Sequence, residues 1–316
     1  CKKGIIPEVY YIDTLKDEKR PIEKVKAGKT RTFSAAPLAF TILFRKYFLG
    51  FLAYMMRNKI ANESAIGTNP YSKDWQSIVD NLQVFGEKSM IAGDFSNFDG
   101  TVNFYIMQEI LHTINQFYND GSQNKMVRRV LWEHIAKSKH ILAHFVYQFA
   151  HSQPSGNPAT AITNSMYNSI ATRYCYSKIV GSANSFNDNI RMIAYGDDNI
   201  ISVHPQARSV ITPKSLSEKF ETVGMTYTSE TKGEFIEHFR SIKEVTFLKR
   251  EFRFDRSLRY WFAPLSLDSI MEMTNWLKKS PNEWQALRDN LEQCIIELYL
   301  HDDTEFAWFA GRMNDI

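Results

Sequence analysis

The chain has 316 residues, 44% hydrophobic and 14% aromatic, which is ample for a large core divided into two or three subdomains. A formal net charge of only +3 excludes nucleic-acid attraction by global charge, so any such affinity must come from local clustering. Three scattered cysteines (Cys1, Cys175, Cys294) exclude a disulfide framework or a cysteine zinc site and fit a reducing compartment. The longest apolar run, Phe48 to Met56, lies between Arg45-Lys46 and Arg57 and is shorter than a bilayer span. A first residue of Cys1 rather than Met, with no signal-peptide pattern after it, reads as a piece of something longer.

Lys16 to Arg31 reads KDEKRPIEKVKAGKTR, with Lys16, Lys19, Arg20, Lys24, Lys26, Lys29 and Arg31 against three acids. Lys24-Val25-Lys26 alternates, which as a strand would put both lysines on one side. Such a fork of cations suits a triphosphate, with arginine bidentate and lysine a point charge; read alone, it is equally a solvated loop. Gly28-Lys29-Thr30 is not a P-loop, because Glu23 stands where that pattern needs its first glycine. Thr41 to Met56 has apolar residues at helical spacing, and Asn62 to Lys73 reads as a loop.

Ser89 to Gly93 reads as a short buried strand delivering Asp94. Asp99 follows near the start of a helix marked by Val102, Ile106, Ile110 and Ile114. A carboxylate there is at least a dipole-favoured cap. Residues 122–150 are basic and aromatic (Lys125, Arg128, Arg129, Lys137, Lys139). The four histidines through His151 lack any metal-binding spacing and read as packing or surface residues. Gln153 to Pro158 is a turn-rich loop opening a helix that runs to about Ile179, with Thr160 and Asn164 on one face.

Arg191 to Val203 is two β-prone runs around a Gly-Asp turn, a hairpin signal. The adjacent carboxylates Asp197 and Asp198 repel each other unless a cation lies between them, and Mg²⁺ with a phosphate substrate is the usual occupant. With Asp94 beside them, three carboxylates would suit two-metal phosphoryl transfer. Ser215 to Val223 reads as a helix, and Lys232 beyond it, taken alone, as an exposed loop lysine. Ser280-Pro281 looks like an N-cap with proline at the first helical position. Asp302 to Glu305 resembles a capping box. Leu287, Leu291, Cys294, Ile295 and Leu298 mark an apolar helical face.

In order, the basic segment, DxxxxD, SGxxxTxxxN and YGDD resemble the RNA-dependent RNA polymerases of picorna-like positive-strand RNA viruses, and the segments KDEKRPIEKVKAGKTRTFS, IGTNPYSKDW and AGDFSNFDGT are most similar to the dicistrovirus branch. The resemblance covers essentially the whole chain, although the family carries more than a hundred residues ahead of the basic segment, so an N-terminally truncated piece is expected. It implies an α+β right-hand polymerase with fingers, a palm around an antiparallel sheet, and a helical thumb. The implied division is fingers 1–50, palm 51–133, fingers 134–153, palm 154–255 and thumb 256–316.

By that resemblance, Asp94, Asp197 and Asp198 are metal ligands, and Lys232 is the general acid for pyrophosphate. Asp99 and Asn164 sense the ribose 2′-OH, assisted by Ser155 and Thr160. Lys16, Lys24, Lys29 and Arg31 surround template and triphosphate, and Gly156, Lys249 and Arg250 meet the RNA primer and template. The implied reaction joins an RNA 3′-OH to an NTP and releases pyrophosphate, with Mg²⁺ as cofactor and Mn²⁺ as its substitute. Implied partners are RNA template and primer, NTPs, a protein primer and other viral replication proteins, without DNA or a direct membrane span. The implied location is the host cytoplasm, in replication complexes joined to membrane through partners. Two competitors are a reverse transcriptase and a non-catalytic RNA-binding module. The first would place a bulky aromatic at the Asp99 position and the second would lack one of the three carboxylates, and neither feature is present.

Overall fold

Alternating and helical patterns resolve into a mixed fold in a computed structural model that describes residues 8–230, 238–277 and 279–313. In chain order the first elements are β1 (Tyr10–Leu15), α1 (Ile22–Lys26), β2 (Thr32–Ala35), α2 (Leu38–Arg57), α3 (Lys73–Leu82) and β3 (Lys88–Ser96). Then come α4 (Phe104–Tyr118), α5 (Ser122–Ala136), β4 (Lys139–Leu142), β5 (Phe145–Gln148), α6 (Thr160–Val180) and the single turn α7 (Phe186–Asn189). β6 (Ile190–Tyr195), β7 (Asp198–Val203), α8 (Pro213–Glu221), β8 (Thr226–Ser229), β9 (Arg240–Ser241), β10 (Arg253–Asp255) and β11 (Tyr260–Phe262) follow. The helices α9 (Leu267–Thr274), α10 (Glu283–Leu298) and α11 (Asp303–Met313) come last.

β3 is the hub of the larger sheet, pairing antiparallel with β7 on one side and with β8 and β9 on the other, while β6 closes the hairpin with β7. Both faces are covered. Met90, Ala92, Ile193 and Ile200 pack with Trp75, Ile78 and Trp261; Ile91, Phe95, Ile201 and Val203 pack with Ile110, Ile162 and Leu216. This two-sided burial explains the nearly continuous apolar reading of these strands, and each such side chain contributes about 1.5–3 kcal/mol. β3 runs past Asp94 to Ser96 rather than stopping before it, because β8 continues the ladder beyond β7.

The second sheet, ordered β2-β1-β4-β5, joins stretches far apart in the chain, with β1 and β4 parallel. Its buried side holds a polar cluster. His140 Nδ1 lies 2.9 Å from Asp13 Oδ1 and its Nε2 lies 2.7 Å from Ser138 Oγ, while the Tyr147 hydroxyl donates to Asp13 Oδ2. Burial alone would raise the Asp13 pKa, but hydrogen bonds from Ser34, Tyr147 and His140 outweigh it and hold the carboxyl below its ordinary value. His140, expected as an ordinary packing residue, is thus a buried brace between β1 and β4.

Phe44 and Phe48 of α2 stack at 4.1 Å between centroids, and Trp132 of α5 continues the stack on Phe48. By length and composition α2 could cross a membrane. In this fold Phe40, Phe44, Phe48, Phe51, Leu52 and Met55 of its inner side are buried core.

Several local expectations shift. Lys24 and Lys26 lie on the short helix α1, where two positions differ by roughly 200° of rotation, so they do not share a side. Asp99 lies in a separate 3₁₀ turn, Phe98–Gly100, and the long helix starts at Phe104 behind its Asn103 cap. α8 starts at Pro213, two residues ahead of the expected Ser215, because Thr212 and Ser215 close the capping box there. Asn282, not Ser280, caps α10, so Pro281 falls outside the helix. Cys294 and Leu298 are buried there, but Ile295 is turned to solvent. Asp302 accepts from the backbone of Thr304 and Glu305, whereas Glu305 turns to His301 instead of completing a box. The boundary expected at 255/256 falls inside the β10–β11 hairpin, which hydrogen-bonds to α3 through Gln76.

Candidate active site

The last β3–β7 pair is Gly93 with Asn199, and one further step of that register sets Asp94 opposite Asp198. Asp197 precedes it in the two-residue turn after Tyr195, where Gly196 takes a φ of 66° that glycine adopts without a Cβ penalty. A strand buried on both faces can carry charge only where it emerges, and Asp94, Asp197 and Asp198 all line the same cavity of about 1110 Å³.

Asp99 and Asn164 line the cavity next to them. Asn164 Nδ2 donates to Asp99 Oδ1 at 2.7 Å, whereas Asn164 Oδ1 is buried with no hydrogen-bond partner among the described residues. An orphaned acceptor of this kind is costly unless a ligand donor meets it. Burial first, and the nearby Asp197 charge in addition, raise the Asp99 pKa, against the Asn164 bond and the charges of Lys16 and Arg31.

The cavity lining also carries cations. Lys24, Lys29 and Arg31 line the cavity together with Arg20, a member of the basic segment to which the resemblance assigns no role. Arg20 donates to the Lys29 carbonyl at 3.3 Å and so closes the α1 loop on itself. Lys16, expected beside the triphosphate, is not among the residues lining the cavity; its amide donates to the Arg31 carbonyl at 2.9 Å. Glu230 is a fifth carboxylate of the cavity, but it is paired with Arg240 at 2.6 Å.

Ser155 and Gly156 bind the loop before α6 to β2. Ser155 Oγ accepts from the Ser34 amide at 3.2 Å, and the Gly156 amide donates to the Ser34 carbonyl at 3.1 Å. A Cβ on Gly156 would lie 2.2 Å from that carbonyl oxygen, so only glycine allows the approach. The Thr160 hydroxyl is occupied by its own turn, bonding the Pro154 and Asn157 carbonyls at 2.8 and 2.9 Å. That bonding corrects the expectation that it assists at a ribose.

Lys249 reaches the cavity from a tight turn in which Leu248 and Lys249 both have positive φ (55° and 62°), closed by paired Phe247–Arg250 backbone bonds of 2.9 Å. Arg250, expected to contact RNA, instead gives both Nη atoms to Glu297 of α10 at 2.8 Å and one also to the Ala263 carbonyl. It is committed to holding the helical region. Lys232 lies outside the described residues.

Three carboxylates facing one cavity are the donor chemistry of a hard dication. Among the described residues no three His, Cys, Asp or Glu side chains form a group able to hold a metal ion by themselves.

The fold is that of the right-hand polymerases: it matches the Sicinivirus 3Dpol RNA-dependent RNA polymerase with a TM-score of 0.81 at 23% identity, over 98% of this chain and 63% of that one. The chain belongs to the viral RNA-dependent RNA polymerase family, which matches residues 2–309. It is 42% identical over 319 residues to the replicase polyprotein of Acute bee paralysis virus and 40% identical over 334 residues to that of Cricket paralysis virus. Those matches take in 97% and 100% of this chain but only 17% and 19% of the relatives' length. The genome polyprotein of Rice tungro spherical virus is 32% identical over 323 residues. Polymerases of this family use divalent metal ions.

Proposed function

We propose that this chain carries the catalytic centre of an RNA-directed RNA polymerase that copies a viral RNA genome, joining an RNA 3′-OH to the α-phosphate of an NTP with release of pyrophosphate. The observation that carries this reading is one cavity lined by both carboxylates and cations, with the Asp99–Asn164 pair among them. Lys24, Lys29, Arg31 and Arg20 hold the triphosphate, and their charge offsets its own. Asn164 Oδ1 accepts from the ribose 2′-OH, the group that marks a ribonucleotide. Lys249 meets the primer backbone, and Lys232 gives its proton to the pyrophosphate oxygen. Asp94, Asp197 and Asp198 hold Mg²⁺, which when bound neutralises phosphate charge and acidifies the attacking hydroxyl. Template and primer RNA are the macromolecular substrates. A protein primer, other replication proteins and a membrane-associated complex in the host cytoplasm complete the proposal.

The test is single-nucleotide extension of a primed RNA, using the chain expressed at the length of the solved polymerase it matches. Product dependent on Mg²⁺ and NTP is expected, with Asp197→Asn slower by a factor on the order of 10²–10³ or more. An Asp197→Asn protein as fast as the unchanged one, or no product at all, sinks the proposal. Equal use of dNTP would point to the reverse transcriptase instead.

A further inference from the structure

The carboxylates stand on one face of the β3–β7 pair; the opposite face, one residue along, holds a buried chain of hydrogen bonds. There Gly93 lies across from Asn199, and the Tyr227 ring fills the space above it, so close that a Cβ on Gly93 would fall 2.1 Å from a ring carbon. Tyr227 donates its hydroxyl to Asn199 Oδ1 at 2.7 Å. Asn199 Nδ2 donates to Asn168 Oδ1 at 3.2 Å. Asn168 Nδ2 then donates to two main-chain oxygens of the acidic turn, Gly196 at 3.1 Å and Asp197 at 3.3 Å. From the preceding turn of α6, Ser165 Oγ accepts the Gly196 amide at 2.9 Å. Ser165, Asn168 and Asn199 are no more than 2% exposed.

The direction of this chain is dictated by its chemistry. Main-chain carbonyls only accept, so Asn168 must aim its amide nitrogen at Gly196 and Asp197 and leave its oxygen for Asn199. Neither Asn168 nor Ser165 lines the cavity, yet between them they grip the amide and both carbonyls of the turn that bears Asp197. Asn164, one residue before Ser165, bonds Asp99. One rigid helix therefore supports both the group placed to read a ribose and the turn that presents the carboxylates.

We propose that Asn168, with Ser165, is a positioning residue that fixes the Gly196–Asp197 peptide planes, and with them the direction in which Asp197 and Asp198 offer their oxygens to a divalent cation. The inference rests on the polymerase reading for what the turn does, but its first readout does not need catalysis. Groups that orient metal ligands from behind typically cost about 10–100-fold in metal affinity or activity when removed. Asn168→Asp keeps the shape and replaces the donor by an acceptor facing two carbonyls; Asn168→Ala deletes it; Ser165→Ala removes one bond only.

Mn²⁺ binding is followed by the spectroscopic signal of the free ion, on protein shown to be folded by circular dichroism, and extension kinetics are measured beside it. The matched control is Tyr176→Phe, which loses bonds of 2.7 Å to Ser185 and Asn189 at the far end of the same helix. Asn168→Asp and Asn168→Ala are expected to weaken Mn²⁺ binding and lower kcat by about 10–100-fold, with the NTP KM within about threefold. Ser165→Ala moves the same way by less, and it carries the test if the Asn168 variants do not fold. Tyr176→Phe changes thermal stability alone. Asn168 variants that lose stability yet match Tyr176→Phe in Mn²⁺ binding and kcat overturn the proposal while leaving the polymerase intact. An unchanged chain that binds Mn²⁺ but never extends RNA sinks the polymerase reading, and the Mn²⁺ titration still decides the role of Asn168.

Discussion

Among the residues lining the cavity, Asp94 and Asp198 emerge from strands packed on both faces and tied from behind by Tyr227, Asn199 and Asn168. By contrast, Lys24, Lys29 and Arg31 are carried by a five-residue helix with no buried residue and by the loop after it. The first group cannot shift without breaking buried hydrogen bonds; the second is held by Glu18, 3.5 Å from Arg20 and 3.6 Å from Arg31, and by the Arg20 bond to Lys29. On the proposed polymerase reading the contrast fits two tasks: carboxylates that orient an ion tolerate little displacement, whereas long basic side chains follow a flexible triphosphate at small cost. The ties to the helical region divide in the same way: Arg250–Glu297 is buried, and Lys19–Glu272 is open to solvent.

Breaking the buried tie gives the largest effect expected. Arg250→Ala leaves Glu297 uncompensated at 6% side-chain exposure, at a cost of about 3–5 kcal/mol in denaturant unfolding. Burial would raise the Glu297 pKa, but the Arg250 and Tyr71 hydrogen bonds outweigh it and lower the value. A lowered carboxyl stabilises the fold fully above its unfolded pKa and loses that contribution as pH falls through the folded one. The gap between wild type and Arg250→Ala should therefore stay constant near neutrality and narrow below about pH 4. An unchanged unfolding midpoint at pH 7 would refute the pairing.

Gly93→Ala comes next and probes the rigid group directly. Its Cβ would meet the Tyr227 ring at 2.1–2.2 Å, overpacking worth roughly 1–3 kcal/mol. A double variant with Tyr227→Ala should recover part of the loss, seen as a non-additive cycle; strict additivity would mean the two do not touch. Lys19→Ala is the smallest. Lys19 pairs with Glu272 at 3.2 Å and lies 4.6 Å from the Trp276 ring centre, yet exposed pairs of this kind contribute little and are screened by salt. The thermal midpoint should not move, and a drop as large as that of Arg250→Ala would erase the distinction between the two ties.

Much of this was legible in the chain itself, because the signals were local. The Gly196-Asp197 turn, the helix from Thr160 and the strand leading to Asp94 are each written within a dozen residues as apolar period and turn chemistry. The corrections come from a distant partner, from a close turn and from a segment too short to read. Arg250 reads as a basic turn residue until Glu297 arrives from another helix. Thr160 reads as a free hydroxyl until Pro154 and Asn157 fold back on it. Lys24 and Lys26 lie in a segment too short and too polar for periodicity to separate helix from strand. Asn168 and Asn199 gave no signal, since one polar residue on an otherwise apolar helix or strand face looks the same with or without a buried partner.

The parallel pairing of β1 with β4 has a consequence for how the molecule is made. Asp13 and His140 are separated by 127 positions, so during synthesis the strand leading to Lys16 must wait for everything through β5 before its buried carboxylate finds its histidine. Contacts of such range are slow to close, and until then β1 has an unpaired edge, the feature that invites mispairing. The basic segment between β1 and β2 therefore belongs to a sheet that is complete only once β4 and β5 have been made, and a chain halted before Lys139 would leave that edge of β1 open.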